Sequence, residues 1–191
     1  MLEIILASSS PRRKELLEQL GLSFKIISSN VDEIAEEENA HLLVEKLAET
    51  KAREVAWKCQ PGYLIIGADT IVCLESEILG KPKDEAEAFE MLKKLSGKTH
   101  KVITGIALIE APCGRSIISH EETLVKFRDL EDEEIKAYIR SGEPMDKAGA
   151  YGIQKIGAIL VERIDGCYFN IVGLPLTRLT KMLKEFNISI L

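Results

Sequence analysis

An α/β fold, with a mixed central sheet and helices on its faces, follows from three features of this sequence. Apolar strand-like runs alternate with stretches of helical period. Two strand-like runs, Lys101 to Ile109 and Ile117 to Phe127, follow one another as a hairpin, and no repeat, low-complexity tract or linker interrupts the order. At 191 residues, 46% of them hydrophobic, the chain is long enough to bury a core and short enough for a single domain spanning residues 1–191.

The first strand, Ile4-Ile5-Leu6-Ala7, leads into Ser8-Ser9-Ser10-Pro11-Arg12-Arg13 and then into a helix that ends at Gly21. Ser10 is suited to cap that helix, Pro11 to its first position, where a missing N–H costs nothing, and Gly21 to the C-terminal cap. Two cations in a first turn oppose the helix dipole, so placing Arg12 and Arg13 there makes sense mainly when an anion sits between them. The turn is suited to phosphate, although the chain has no Walker loop, lacking Gly-x-x-x-x-Gly-Lys-Ser/Thr throughout.

A second strand covers Ser23 to Ser28, and Asn39 opens a long helix that reaches about Cys59. Within it Val44, Ala48, Lys51 and Val55 share one stripe, so Lys51 runs along the apolar face, either to snorkel to its rim or to reach inward to a phosphate. Tyr63 to Leu74 is a strongly apolar strand whose period of two places Asp69 beside Ile65, Gly67, Ile71 and Cys73. A lone carboxylate on that face needs a cation, a metal or hydrogen bonds. Gly67 lets a ligand or another backbone approach.

Lys81, in the tight turn Gly80-Lys81-Pro82, adds a further cation. A helix from Asp84 to Leu95, closed at Gly97, precedes the hairpin. After it come a helix from Asp132 to Ile139, a loop from Gly142 to Gly157, a strand from Ala158 to Arg163 and a last helix from Leu174 to Phe186. The acidic pair Asp32-Glu33 follows the second strand, and together with Asp69 it offers oxygen ligands to a hard cation such as Mg²⁺ or Mn²⁺.

The net charge of −6 argues against a nucleic-acid binder and for a small anionic ligand held by a local basic pocket. The four cysteines and three histidines are dispersed, with neither zinc-site nor disulfide spacing. The apolar start is too short for a signal peptide and no run is long enough to span a bilayer, so a cytoplasmic protein without membrane partners is expected.

Taken in order, Ser8-Ser9-Ser10-Pro11-Arg12-Arg13, Val31-Asp32-Glu33, Ala48-Glu49-Thr50-Lys51-Ala52, Gly67-Ala68-Asp69-Thr70, Gly80-Lys81-Pro82, the run from Asp146 to Gln154, and Asn170-Ile171-Val172-Gly173-Leu174-Pro175 resemble the Maf family of nucleoside triphosphate pyrophosphatases. The resemblance covers nearly the whole chain. It implies a fold like that of the Maf and inosine triphosphate pyrophosphatase-like proteins, with a substrate cleft. It also implies hydrolysis of a nucleoside triphosphate between its α- and β-phosphates, with a divalent cation as cofactor.

By the same resemblance Asp69 is catalytic, Ser8, Arg13, Lys51 and Lys81 bind the substrate phosphates, and Glu33 and Asp69 belong to the metal site. Arg12, Thr70 and Gln154 select the base, in a set like that of the branch acting on dTTP and UTP. Lys155 departs from the glycine expected after Gln154. The alternatives are the same reaction on a methylated guanine or inosine nucleotide, and a regulator of cell division or septum formation that binds nucleotide or protein; a homodimer is left open.

Overall fold

A computed structural model of the chain describes residues 2–31, 37 and 39–191. Its elements run β1 (Glu3–Leu6), α1 (Pro11–Gln19), β2 (Phe24–Ile26), α2 (Ala40–Ala56), β3 (Tyr63–Leu74), β4 (Glu77–Leu79), α3 (Glu85–Leu95), β5 (Thr99–Glu110), β6 (Ser116–Phe127) and α4 (Asp132–Arg140). Three short 3-10 turns within residues 143–160 lead to β7 (Val161–Asp165), α5 (Tyr168–Val172) and α6 (Leu176–Lys184). The strands form one sheet in the order β2-β1-β3-β5-β6-β7, with β4 paired to β3. β1 pairs in parallel with β2 and β3, whereas β3 with β4 and β6 with β7 are antiparallel, so the sheet is mixed as expected.

Packing divides the chain into two compact units. The first comprises residues 1–69, 104–121 and 173–191, and the second residues 70–103 and 122–172. The core of the first gathers Ile5 and Ala7 of β1, Ala48, Ala52 and Val55 of α2, and Ile65 of β3. The core of the second is built on Leu92 and Leu95 of α3, Ile135 and Tyr138 of α4, Phe127 and Tyr151.

Small residues set how closely α2 lies against its strands. A Cβ on Gly67 would stand 2.3 Å from the Ala48 carbonyl oxygen, and one on Gly105 would stand 2.1 Å from that of Val44. The backbone that Gly67 admits is therefore that of α2, a helix whose start is fixed by Asn39, its side chain accepting from the N–H groups of His41 and Leu42.

Several boundaries differ from the sequence reading. The last strand begins at Val161 rather than Ala158, because residues 155–160 coil as a 3-10 turn. Lys155 there has a left-handed φ of 55°, and a Cβ on Gly157 would meet the Gly152 carbonyl oxygen at 2.2 Å. Apolarity in that segment does not signal burial, since Ile156 and Ile159 are 51% and 63% exposed. α6 is shorter than expected, with Pro175 at its N-cap. β4 and α5, of three and five residues, are too short to carry a periodic signal. No described helix is long and apolar enough to cross a membrane.

Gly67→Ala is expected to destabilise the protein by about 1–3 kcal/mol, because helix backbone cannot retreat as a side chain can. Gly80→Ala is the control: a Cβ there meets nothing within 4 Å, and urea unfolding should place it within about 0.5 kcal/mol of wild type. Equal stability of the two variants would show that α2 does not depend on the close approach.

Candidate active site

In the first unit the turn from β1 into α1 is ordered by Ser8. Its Oγ accepts from the Ser10 N–H at 3.2 Å and from Arg13 Nη1 at 3.3 Å, while Arg13 Nε donates to the Gly173 carbonyl at 2.9 Å. The guanidinium is thus held from two directions before any ligand arrives. Ser10 occupies the N-cap position, as expected, yet its side chain makes no capping hydrogen bond. The Ser8 hydroxyl instead orders the approach to the helix by accepting from the Ser10 N–H. Arg12 and Arg13 are both half-buried, and the first turn of α1 contains no acidic residue. That balance suits an anion supplied from outside.

The buried polar centre of this unit is a pair. Lys51 Nζ lies 2.5 Å from Asp69 Oδ1, with side chains only 11% and 9% exposed. The helical stripe places Lys51 toward β3, and the alternation along β3 turns Asp69 toward α2 on the same face as Gly67 and Ile65. Lys51 therefore reaches inward rather than snorkelling. No described residue hydrogen-bonds Asp69 Oδ2, so one carboxylate oxygen is anchored and the other is available to water or a cation.

Among the described residues no three His, Cys, Asp or Glu side chains are grouped to hold a metal ion. A hard divalent cation that takes most of its oxygens from phosphates and water needs only one or two carboxylates, and Asp69 Oδ2 meets that requirement. Asp32 and Glu33, the other expected carboxylates, lie outside the described residues.

In the second unit Thr70 is half-buried at the start of its share of β3, Lys81 is exposed in the turn after β4, and Gln154 is half-buried in extended backbone. The N–H of Gly149 donates to the Gly80 carbonyl at 3.0 Å, tying the segment before Gln154 to the turn that carries Lys81. Lys155 is exposed, and its left-handed φ is one that glycine adopts without strain, so the charged side chain leans into solvent.

Three buried polar residues of this unit escaped the sequence reading, which weighed His100 only as a dispersed histidine. His100 Nε2 and the Tyr151 hydroxyl lie 2.7 Å apart, and His100 is 1% exposed. Asn170 Nδ2 donates to the Val102 carbonyl and to Thr123 Oγ1, both at 2.9 Å. A strand pattern records only that such positions are buried, and partners distant in sequence leave no local trace.

A family model described as Maf-like protein matches residues 3–186. The chain is 55% identical over 198 residues to a dTTP/UTP pyrophosphatase of Acetivibrio thermocellus, with 100% of this chain and 98% of that protein covered. It is 56% identical over 193 residues to a dTTP/UTP pyrophosphatase of Ruminiclostridium cellulolyticum, each covered in full. A HAM1 protein from Coxiella burnetii has a similar fold, with a TM-score of 0.55 at 19% identity over 97% of this chain and 100% of that one.

Lys51→Met should cost about 3–5 kcal/mol of stability by leaving the Asp69 carboxylate buried without its cation, and adding Asp69→Leu should recover much of that loss. Denaturant unfolding of the three proteins decides it. A further loss in the double variant would mean that the pair is not the unit of stability.

Burial holds the His100 imidazole down at about 4 against an ordinary value of 6.5. The unfolded chain therefore binds the extra proton first: the stabilisation is complete above pH 6.5 and is lost as pH falls toward 4, a swing of about 3 kcal/mol. His100→Gln should show a flatter stability profile across that window, and a parallel profile would refute the assignment.

Proposed function

We propose that this chain, which belongs to the Maf-like protein family, hydrolyses dTTP and UTP to the nucleoside monophosphate and pyrophosphate. The observation that carries the chemistry is the buried Lys51–Asp69 pair, with one oxygen of the carboxylate anchored and no hydrogen bond to the other among the described residues. Two relatives at 55% and 56% identity over the whole chain, both dTTP/UTP pyrophosphatases, support the choice of substrate.

In this reading water attacks the α-phosphorus, the bond from that phosphorus to the α,β-bridging oxygen breaks, and pyrophosphate leaves. Charge builds on the non-bridging oxygens and on the leaving group, so positioned cations supply most of the acceleration. Arg13, oriented by Ser8 and Gly173, binds phosphate together with Ser8 and Lys51, and Lys81 is a further phosphate-binding cation. Asp69 Oδ2 orients the water and takes its proton, while Lys51 keeps the carboxylate fixed and its charge balanced.

A divalent cation, Mg²⁺ or Mn²⁺, held by Asp69, Glu33 and phosphate oxygens, would neutralise charge developing on the phosphates. The base is selected by Gln154, whose amide both accepts from the N3–H and donates to the O4 of uracil or thymine, with Thr70 and Arg12 completing the selection. The enzyme is proposed to act in the cytoplasm as a house-cleaning hydrolase.

Asp69→Asn should keep the fold, judged by circular dichroism, and lower turnover at least about a hundredfold. Folded protein with near-normal turnover would remove Asp69 from the mechanism. UTP should give UMP and pyrophosphate as first products, and chelation of the metal should stop the reaction; early UDP and phosphate would place attack at the γ-phosphate and end this reading. Gln154→Glu exchanges a donor for an acceptor, so kcat/KM for UTP and dTTP should fall by roughly 1–3 kcal/mol in transition-state terms, and for a guanine nucleotide by less. Equal losses on all substrates would mean that Gln154 supports the loop without reading the base.

A further inference from the structure

Resting on the reading of Gln154 as the residue that meets the base, we propose that His100 is a positioning residue for base selection, acting through its hydrogen bond to Tyr151 to fix the segment that presents Gln154.

Packing alone does not account for a histidine at this place. The imidazole is 1% exposed and stands edge-on to Phe127 and Tyr151, with ring centroids 5.0 and 5.3 Å away. Phe127 and Tyr151 are themselves edge-to-face at 4.6 Å. An apolar ring would fill the same volume. Among the described residues His100 Nδ1 has no hydrogen-bond partner, so the core carries a buried polar atom whose desolvation they do not compensate. What an apolar ring would lack is the single directional contact, Nε2 to the Tyr151 hydroxyl at 2.7 Å.

That contact falls where the chain needs fixing. The segment from Gly149 to Gln154 has little regular structure, and Gly149 and Ala150 both adopt left-handed φ, at 67° and 57°. It is pinned instead by side contacts: the Gly149 N–H to the Gly80 carbonyl at 3.0 Å, the Tyr151 hydroxyl to His100, and the Gly152 N–H to the Tyr138 hydroxyl at 3.1 Å. Burial then alternates. Tyr151 and Ile153 are buried, while Gly152 and Gln154 are half-buried, so the depth at which Tyr151 is held sets the register that turns Gln154 outward. Removing the His100 contact frees Tyr151 to shift along its ring plane and loosens the amide that must match the base edge.

The test is steady-state hydrolysis of UTP and CTP by Tyr151→Phe, His100→Leu, His100→Gln, Gln154→Ala and the double variant Tyr151→Phe/Gln154→Ala, with each melting temperature measured alongside. Tyr151→Phe and His100→Leu should raise the KM for UTP roughly 3–10-fold with kcat held within about twofold, and shrink the UTP-over-CTP preference accordingly. His100→Gln, whose amide nitrogen can stand where Nε2 does, should restore both. In the Gln154→Ala background, Tyr151→Phe should change the preference no further.

A lowered melting temperature with KM and preference unchanged would show a purely structural role and overturn the inference, as would additive effects in the double variant. Should Tyr151→Phe fail to fold, His100→Gln against His100→Leu decides on the same readouts. If Gln154→Ala shifts the preference and Tyr151→Phe does not, the positioning role falls and base reading stands. If Gln154→Ala leaves the preference at its wild-type value, the base-reading role falls first and takes the positioning role with it.

Discussion

The site depends on how closely one helix lies against two strands. α2 can bring Lys51 to Asp69 only because Gly67 and Gly105 present no Cβ to its backbone. At an ordinary helix-to-sheet separation the lysine would have to extend across the gap, and the carboxylate would sit in apolar surroundings with its charge unbalanced. The close approach turns a costly buried carboxylate into a fixed one, with Oδ1 engaged by Lys51. Steric and electrostatic requirements meet in the same few residues, and neither is met without the other.

Much of this was legible in the sequence because the strands and helices in question are long and strictly patterned. β3 and α2 were placed to within a few residues, and the conflict of each charge with its apolar stripe marked Lys51 and Asp69 as groups needing partners, without showing that they are partners of one another. Legibility failed where structure depends on pieces without a period: β4 and α5 are too short, and residues 155–160 are apolar yet exposed. Ser10 shows a subtler limit. Its position at the head of α1 was readable, but position alone does not fix which way a serine hydroxyl turns, and here it makes no capping bond.

The two units use different means to hold polar groups. In the first, the buried groups described are charged: Lys51 meets the Asp69 carboxylate, and the Arg13 guanidinium donates to a neutral hydroxyl and a carbonyl. In the second, ion pairs such as Arg128 with Glu134 lie toward the surface, and the buried contacts are neutral: Asn170 bridges Thr123 and the Val102 carbonyl, and Tyr151 meets His100. Ionic contacts tolerate small displacements because Coulomb attraction falls off slowly, whereas neutral hydrogen bonds demand angle as well as distance. The first arrangement suits a multiply charged phosphate chain, and the second suits the flat, directional edge of a base.

The hydrogen bond from Arg13 to the carbonyl of Gly173 spans 160 residues of sequence. On the ribosome the arginine emerges 160 residues before the carbonyl that orients it. Contacts of such long range form late, since a large loop must close before they return any energy. A nascent chain therefore holds Arg13 without its orientation, and a protein truncated before Gly173 would retain the arginine while losing the carbonyl that aims it. The orientation of this guanidinium is in this sense acquired 160 residues after the arginine itself is made.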